Sequence, residues 1–492
     1  MPITNQQYQA WLNDQDAIRC ILVEVDVKLA GGSNVTRYLS NKGYVTSPTD
    51  TPANTEYPPL IVGGVKFSQS ISIDGSVSLS FGDLELNNHD GSLDSWLDDF
   101  WVNRNITVYA GDARWARADF RQIFTGVVTG VDSRSRNRVN LKLSDKMQRL
   151  NTPITETKLG GGTTNADQPL PLCFGECHNV EPLLVDQALH KYMVHDGPIE
   201  GIIEVRDNGV PVLFTADLST GTFFLEQSPA GQITASVQGD APGGVYTNNL
   251  VNIIKRLVKD YGNDTLRFTD ADLDLASLNA FASANPQPVG LYCKERTNLL
   301  EAIQTLAGSV GGRCVVSPTG LLSIVKLTLP QGSAGTTVGA GDMVDRSLEI
   351  ASMPPVVASV KVGYAKNWTV QDLQTGIVEE HRKLYAEEWL TQTRSDSLAA
   401  TNFNLFTDPK IEETLLLTAG DAATEALRRL NVFNVQRKVF KFAGYAGLLS
   451  QKVGDPMTLQ HSRFGLSAGK TGQILSITTD WLKSRVEIEV MI

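Results

Sequence analysis

The residues best placed for chemistry form one short run, Leu172-Cys-Phe-Gly-Glu-Cys-His178, with Cys173 and Cys177 four positions apart and His178 beside the second. Thiolate and imidazole are the ligands that zinc and iron–sulfur clusters select. The run supplies three of them, and a complete set would draw on Cys293 or Cys314, more than a hundred residues away. Buried free cysteines also serve as small apolar residues. Five cysteines, an odd number in 492 residues, argue against a disulfide framework. Cys173 and Cys177 are therefore the candidate metal residues, with core packing as the competing role.

Other chemistry finds little support. The six histidines, His89, His178, His190, His195, His381 and His461, form no His-x3-His pair, and no Gly-x-Ser-x-Gly nucleophile elbow is present. Asp90, Asp94, Asp98 and Asp99 make an acidic run able to hold a hard cation. Its spacing is not that of an EF-hand, and Asp98-Asp-Phe-Trp101 reads more simply as a helix-end turn with buried aromatics. The glycines of Lys158-Leu-Gly-Gly-Gly-Thr-Thr-Asn-Ala-Asp-Gln-Pro-Leu-Pro171 lack the following Lys-Ser/Thr and the strand-to-helix setting of a phosphate loop. No catalytic residue and no organic cofactor site is expected.

The elements that hold these residues are mostly strands. Cys20 to Leu29, Ile106 to Tyr109, Phe120 to Val131 and Arg138 to Leu143 are β runs. Ile71 to Leu86 alternates through an Asp74-Gly75 turn, one of five segments with this β-turn-β grammar. Their spacing suggests a closed barrel or sandwich. Thr36 to Pro59 reads as a long exposed loop. Asp207-Asn-Gly209 signals a hairpin. Asn5–Leu12 is a short helix. Two amphipathic helices follow further on: one capped by Thr247 or Asn248 and ended by Gly262, one capped by Thr297 and closed by Gly308. A hairpin crosses Pro318-Thr-Gly320, and a helix capped by Asp421 covers Ala422 to Leu430.

The expected fold is mainly β with α+β: a β-barrel-like domain at 1–155, an inserted small β module at 156–245, an α+β domain with two helices at 246–345, and a second β-barrel-like domain with one helix at 346–492. The net charge of −11 disfavours tight binding to a phosphate backbone. The first residues lack a secretion signal, and no stretch approaches the ~18 apolar residues of a membrane span. Assembly in a host cytoplasm is expected.

Several segments resemble one family. Ser80-Phe-Gly-Asp-Leu-Glu-Leu-Asn-Asn-His-Asp-Gly-Ser-Leu-Asp94, Trp101-Val-Asn-Arg-Asn-Ile106 and Asp119-Phe120 resemble the N-terminal barrel of tail-tip proteins from phages with long non-contractile tails. Pro171 to Glu176, Asn179 to Pro182 and Val194-His-Asp-Gly-Pro-Ile199 are similar to the inserted module of those proteins. Lys294 to Leu300 and Gly320 to Val325 are similar to their central α+β part. The resemblance runs through most of the chain, is built of structural turns and carries no catalytic signature.

It implies a central hub of the tail tip or baseplate, a homotrimer whose two barrel-like domains per subunit alternate into a pseudo-sixfold ring. Such a ring closes the tail tube, adapts it to a threefold tip and forms part of the DNA ejection channel. Its partners would be further copies of itself, the distal tail protein, the end of the tail tube, tip or fibre proteins and the tape measure, with DNA passing through unbound. Some hub-like relatives carry an iron–sulfur cluster held by cysteines, which would fall on Cys173 and Cys177. Two alternatives stay open, a hexameric distal tail protein and a carbohydrate-binding adhesive tail protein using Trp101, Trp115, Trp368, Trp389 or Trp481. A cell-wall hydrolase is a third class, without a positive signature.

Overall fold

Strand Arg19–Lys28 shows how the chain's alternation becomes architecture. Ile21, Val23, Val25 and Val27 point into one apolar cluster, and Cys20 and Leu22 point into another with Tyr57 and Phe120. A strand apolar on both faces must lie inside a sheet covered on both sides. It does: Asn34–Ser40 pairs it on one edge and Asn105–Asp112 on the other, both antiparallel. The computed structural model describes residues 3–73, 81–329, 335–371, 382–406 and 408–492. The Asp74-Gly75 turn and His381 fall outside the described residues.

The chain divides into two compact units, each discontinuous in sequence: Met1–Arg149 with Val315–Pro354 and Gln436–Ile492, and Leu150–Cys314 with Pro355–Val435. The crossings lie at 149/150, 314/315, 354/355 and 435/436, whereas the stretches read from sequence are 1–155, 156–245, 246–345 and 346–492.

Among the described residues the first unit is built on one 13-stranded sheet. Its path runs Asn34–Ser40, Arg19–Lys28, Asn105–Asp112, Arg121–Ser135, Arg138–Asp145, Phe81–Asn87, Ile61–Ser70, Lys470–Asp480, Arg485–Met491, Val439–Tyr445 and Glu349–Ser352. Pro456–Leu459 branches from Lys470–Asp480 and takes Thr336–Val338 as a parallel neighbour. The protein is mainly β with an α+β part, as expected. Of the barrel and sandwich left open by the strand spacing, the closed barrel is absent: among the described residues no sheet closes on itself. The physical reason is the antiparallel ladder of Lys66–Ser70 with Ser476–Asp480, reinforced by a 2.8 Å hydroxyl contact between Ser68 and Thr478. Each strand set covers an edge of the other instead of curling to cover its own.

The loop expected over Thr36 to Pro59 is likewise corrected. It contributes the edge strand Asn34–Ser40 and the short pair Tyr44–Val45 and Glu56–Tyr57. Tyr38, Tyr44 and Tyr57 turn their rings into the cluster around Cys20 and Phe120, with ring separations of 5.1–6.1 Å. Residues that looked like polar loop are the aromatic lid of a second core.

The second unit holds the sheet Val210–Pro211, Ile199–Asp207, Ile233–Asp240, Leu172–Val180 and Gly290–Cys293, and a four-stranded sheet from residues 183–225. The Asp207-Asn-Gly209 signal gives the expected tight hairpin, with Asn208 and Gly209 at φ 49° and 80°. Helices Leu250–Asp260 and Leu299–Gly308 form where their apolar stripes lie. The first is capped by Asn249 instead of Thr247 or Asn248, and the second by Asn298 instead of Thr297; each Asn side chain accepts from two backbone amides. Gly262 (φ 77°) follows the first. Two helices become three in this part, because Leu275–Ala284 is also helical. That helix buries only Leu278, so no apolar stripe announces it. Toward the C-terminus Arg382–Ala386 and Ser397–Phe403 add to the expected helix, which runs Ala419–Phe433 and is capped by Thr418 rather than Asp421. Among the described residues no helix is long and apolar enough to cross a membrane.

Candidate functional site

The Cys173 and Cys177 thiols sit on the central strand Leu172–Val180, which pairs Ile233–Asp240 on one side and Gly290–Cys293 on the other. Alternation turns both into the apolar core with Val205, Val237 and Tyr292. Gly175 between them has φ 68°, and a Cβ there would collide with the Val289 carbonyl oxygen, so this position needs glycine. His178 falls on the other face, with Nε2 3.1 Å from Glu176 Oε1, a hydrogen bond that lowers the Glu176 pKa. The third ligand of the sequence motif therefore points away from the thiols.

Among the described residues no three His, Cys, Asp or Glu side chains converge as a metal site. Two thiols alone do not fit a zinc ion or an iron–sulfur cluster. Burial, and then the neighbouring Cys173, push the Cys177 thiol well above its ordinary pKa, and burial pushes Cys293 up to about 12. Burial therefore disfavours the thiolate of Cys177 and Cys293, the form that attacks or ligates.

Beside them lies a constellation that sequence reading missed. His195 is fully buried; its Nδ1 accepts from the Cys173 amide at 3.0 Å and its Nε2 lies 3.2 Å from Asp240 Oδ1. Arg256 closes the chain, donating through Nε to Asp240 Oδ2 at 2.9 Å and bridging to Asp260 at 2.8 Å. Burial opposes the Asp240 carboxylate, yet the hydrogen bonds from His195 and Arg256 hold its pKa below the ordinary value. The order Cys, His, Asp imitates a nucleophile relay, but the geometry excludes one. Because Nδ1 accepts a backbone proton, Nε2 must carry the hydrogen toward Asp240, and neither nitrogen is left to take a proton from a thiol. Strand and helix are locked together by this network. Asp240 lies 45 positions beyond His195, and no local spacing joins them.

The acidic run resolves into a braced loop. Asp94–Asp98 is a 3-10 turn; Asp94 accepts from Asn88, Asp90 from Ser92, and Asp99 from the Ala30 amide and from Arg37 at 2.7 Å. The carboxylates of Asp90, Asp94 and Asp99 are held by separate partners, Asp98 is exposed, and among the described residues no three such side chains converge as a cation site. The Arg37 guanidinium lies 4.0 Å from the Trp96 ring and 5.8 Å from Trp101, whose Nε1 donates to the Trp96 carbonyl at 2.7 Å. Both rings are buried; of the two aromatics in Asp98-Asp-Phe-Trp101, Trp101 is buried as the turn reading expects, and Phe100 is not. Leu97, Phe100 and Val102, between and beside them, are 45%, 57% and 62% exposed.

Of the five tryptophans considered for sugar binding, Trp101 and Trp389 are buried, and Trp481 is 6% exposed, at the floor of a cleft. Trp115 is half-buried against Trp11 at 4.9 Å, and Trp368 is half-buried against Tyr292 at 6.0 Å. The Gly-rich stretch is a closed loop in which the Leu159 amide donates to Gln168 and the Gly160 amide to Ala166, with no nest aimed at an anion.

No protein-family model matches the chain, and no curated protein matches it. Among solved structures, a tail protein from Neisseria meningitidis MC58 aligns at TM-score 0.39 and 10% identity, covering 96% of each chain. The 43 kDa tail protein of prophage MuSo2 from Shewanella oneidensis aligns at TM-score 0.40 and 10% identity, over 96% of this chain and 98% of the other. Prophage tail protein gp18 from Listeria monocytogenes EGD-e gives 0.41 and 9%, over 96% and 94%. At such scores none of the three fixes the architecture or the activity of this chain.

Proposed function

We propose that the protein is a structural component of a phage tail tip or baseplate, a central hub rather than an enzyme. The observation that carries the reading is the joined sheet. Seven strands from the N-terminal part and six from the C-terminal part lie side by side in one unit, linked by the ladder between Ile61–Ser70 and Lys470–Asp480. Three copies, each with two strand sets, offer six positions to a sixfold tube and three to a tip. The turn motifs quoted above support the same placement, as does the commitment of His195, Asp240 and the thiols to internal contacts.

A hub of this kind is a homotrimer meeting the distal tail protein, the tube end, tip or fibre proteins and the tape measure, in a virion assembled in the host cytoplasm. Its net charge of −11 suits a channel wall that DNA slides past, since like charges keep phosphates from sticking. The test is quantitative mass spectrometry and antibody labelling of purified particles. The reading expects three copies at the distal end of the tail. Six copies would make the chain a distal tail protein, and absence from particles would refute a tail role.

A further inference from the structure

The braced loop at 94–102 has a counterpart in the same unit. A cleft of about 430 Å³ is floored by Phe67, Phe124, Ile477 and Trp481 and rimmed by Arg121 and Lys452. Its floor is apolar and its rim basic. The loop is the inverse: apolar Leu97, Phe100 and Val102 at its crest, with exposed Asp90, Asp94 and Asp98 around them. Arg37, Trp96, Trp101 and Asp99 hold that crest in place, so little conformational freedom is lost when it docks.

Strand Asn105–Asp112 separates the two features. The loop leads into its first residue, since Arg104 donates its amide to the Trp101 carbonyl. At the other end Tyr8 of the cleft donates to the Ala110 carbonyl, and Arg121 pairs with Ala110. Ala110 lies five residues beyond Asn105, roughly 17 Å along the strand, and Phe124 of the floor pairs with Val108, roughly 10 Å along it. The crest residues are exposed and do not line the cleft, so a copy does not fill its own cleft with its own crest.

We propose that the crest Leu97–Val102 of one copy docks in the Phe67–Phe124–Trp481 cleft of a second copy, forming a head-to-tail self-association contact. Such a heterologous contact leaves one crest and one cleft open at the ends of any short chain of copies, and rings close it. Apolar burial supplies the affinity, and the acidic-to-basic rims set the orientation and exclude crest-to-crest pairing. The inference deepens the self-assembly part of the proposed function and does not depend on where in a particle the ring sits.

The test uses the full chain, sized by sedimentation velocity across a concentration series. Phe100→Asp spoils the crest at a largely exposed position, and Thr319→Trp, on the exposed turn lining the cleft, blocks the cleft. Each variant should weaken self-association roughly tenfold or more, the value of one buried aromatic contact, while far-UV circular dichroism stays as in the parent. Mixed one to one, the two should form a dimer that neither forms alone, because each keeps the half the other lacks. Asp98→Lys combined with Lys452→Glu should recover association that either charge reversal weakens. A parent chain that stays monomeric, variants that associate like the parent, or a mixture that forms no dimer would each overturn the contact. A chain missing from particles whose variants still complement one another would sink the tail reading and leave the contact standing.

Discussion

Replacing Arg37 by Met removes the guanidinium and keeps most of the apolar stem, so it isolates what the charge does for the crest loop. In the parent, Arg37 donates to Asp99 at 2.7 Å, with the two side chains 23% and 7% exposed, and lies over Trp96 at 4.0 Å. A charge-assisted hydrogen bond in such half-buried surroundings contributes about 1.5–3 kcal/mol, and a cation over an indole about 0.5–2 kcal/mol. Some of this is recovered by the methionine against the rings, leaving an expected loss of about 2 kcal/mol. The loss should appear as faster amide exchange at residues 97–104 and as a lower urea midpoint. Asp99→Asn keeps the acceptor for the Ala30 amide, so the double variant gives a coupling energy, expected at about 1 kcal/mol or more. Self-association should weaken as well, because a looser crest loses its pre-organisation. A loss below about 0.5 kcal/mol with unchanged exchange at 97–104 would refute the bracing argument.

Other perturbations bear on the second unit and on the thiols. Glu425 in helix Ala419–Phe433 accepts from Arg428 at 2.6 and 2.7 Å and from Arg429 at 2.7 Å, all largely buried, so Glu425→Gln should cost about 3–5 kcal/mol at neutral pH. Burial opposes its ionised form, but the two arginines hold its pKa below the ordinary value; its stabilisation is therefore complete above about pH 5 and fades as pH falls below about 4. The parent-minus-variant difference in urea titrations should shrink over that range, and a pH-independent difference would count against the ion-pair account. Gly262→Ala, at φ 77°, should lower stability by about 1 kcal/mol or more in the same titrations. Chelation by EDTA should leave Tm unchanged, and elemental analysis should find no stoichiometric zinc or iron. A chelator-sensitive Tm abolished by Cys177→Ala would overturn the view of Cys173 and Cys177 as core thiols.

Much of the local structure was legible because local physics decides it. The Asn208-Gly209 turn requires two positive φ values, and the stripes of Leu250–Asp260 and Leu299–Gly308 have one period. What the sequence concealed depends on pairings between distant positions. The ladder between Lys66–Ser70 and Ser476–Asp480 joins residues some four hundred apart, and alternation is the same whether a strand set closes or meets another. Tyr38, Tyr44 and Tyr57 sit among polar residues in sequence and become core only when Phe120 arrives beneath them. At the candidate site, Cys173 and Cys177 are indeed neighbours, but the cysteine–histidine motif misled: strand alternation sends His178 to the opposite face from the thiols. The partner that matters, His195, reaches Asp240 and Arg256 across two further elements.

The central claim is a subunit that joins two β sets so that few copies can meet a tube of higher symmetry. The most direct measurement is an image of the distal end of the tail, at side-chain resolution, from particles carrying this chain. The account predicts three copies in a ring, six strand sets around the tube axis and crest Leu97–Val102 of each copy seated in the cleft of the next. A chain found elsewhere in the particle, or a ring whose strand sets do not follow the tube's sixfold order, would contradict it.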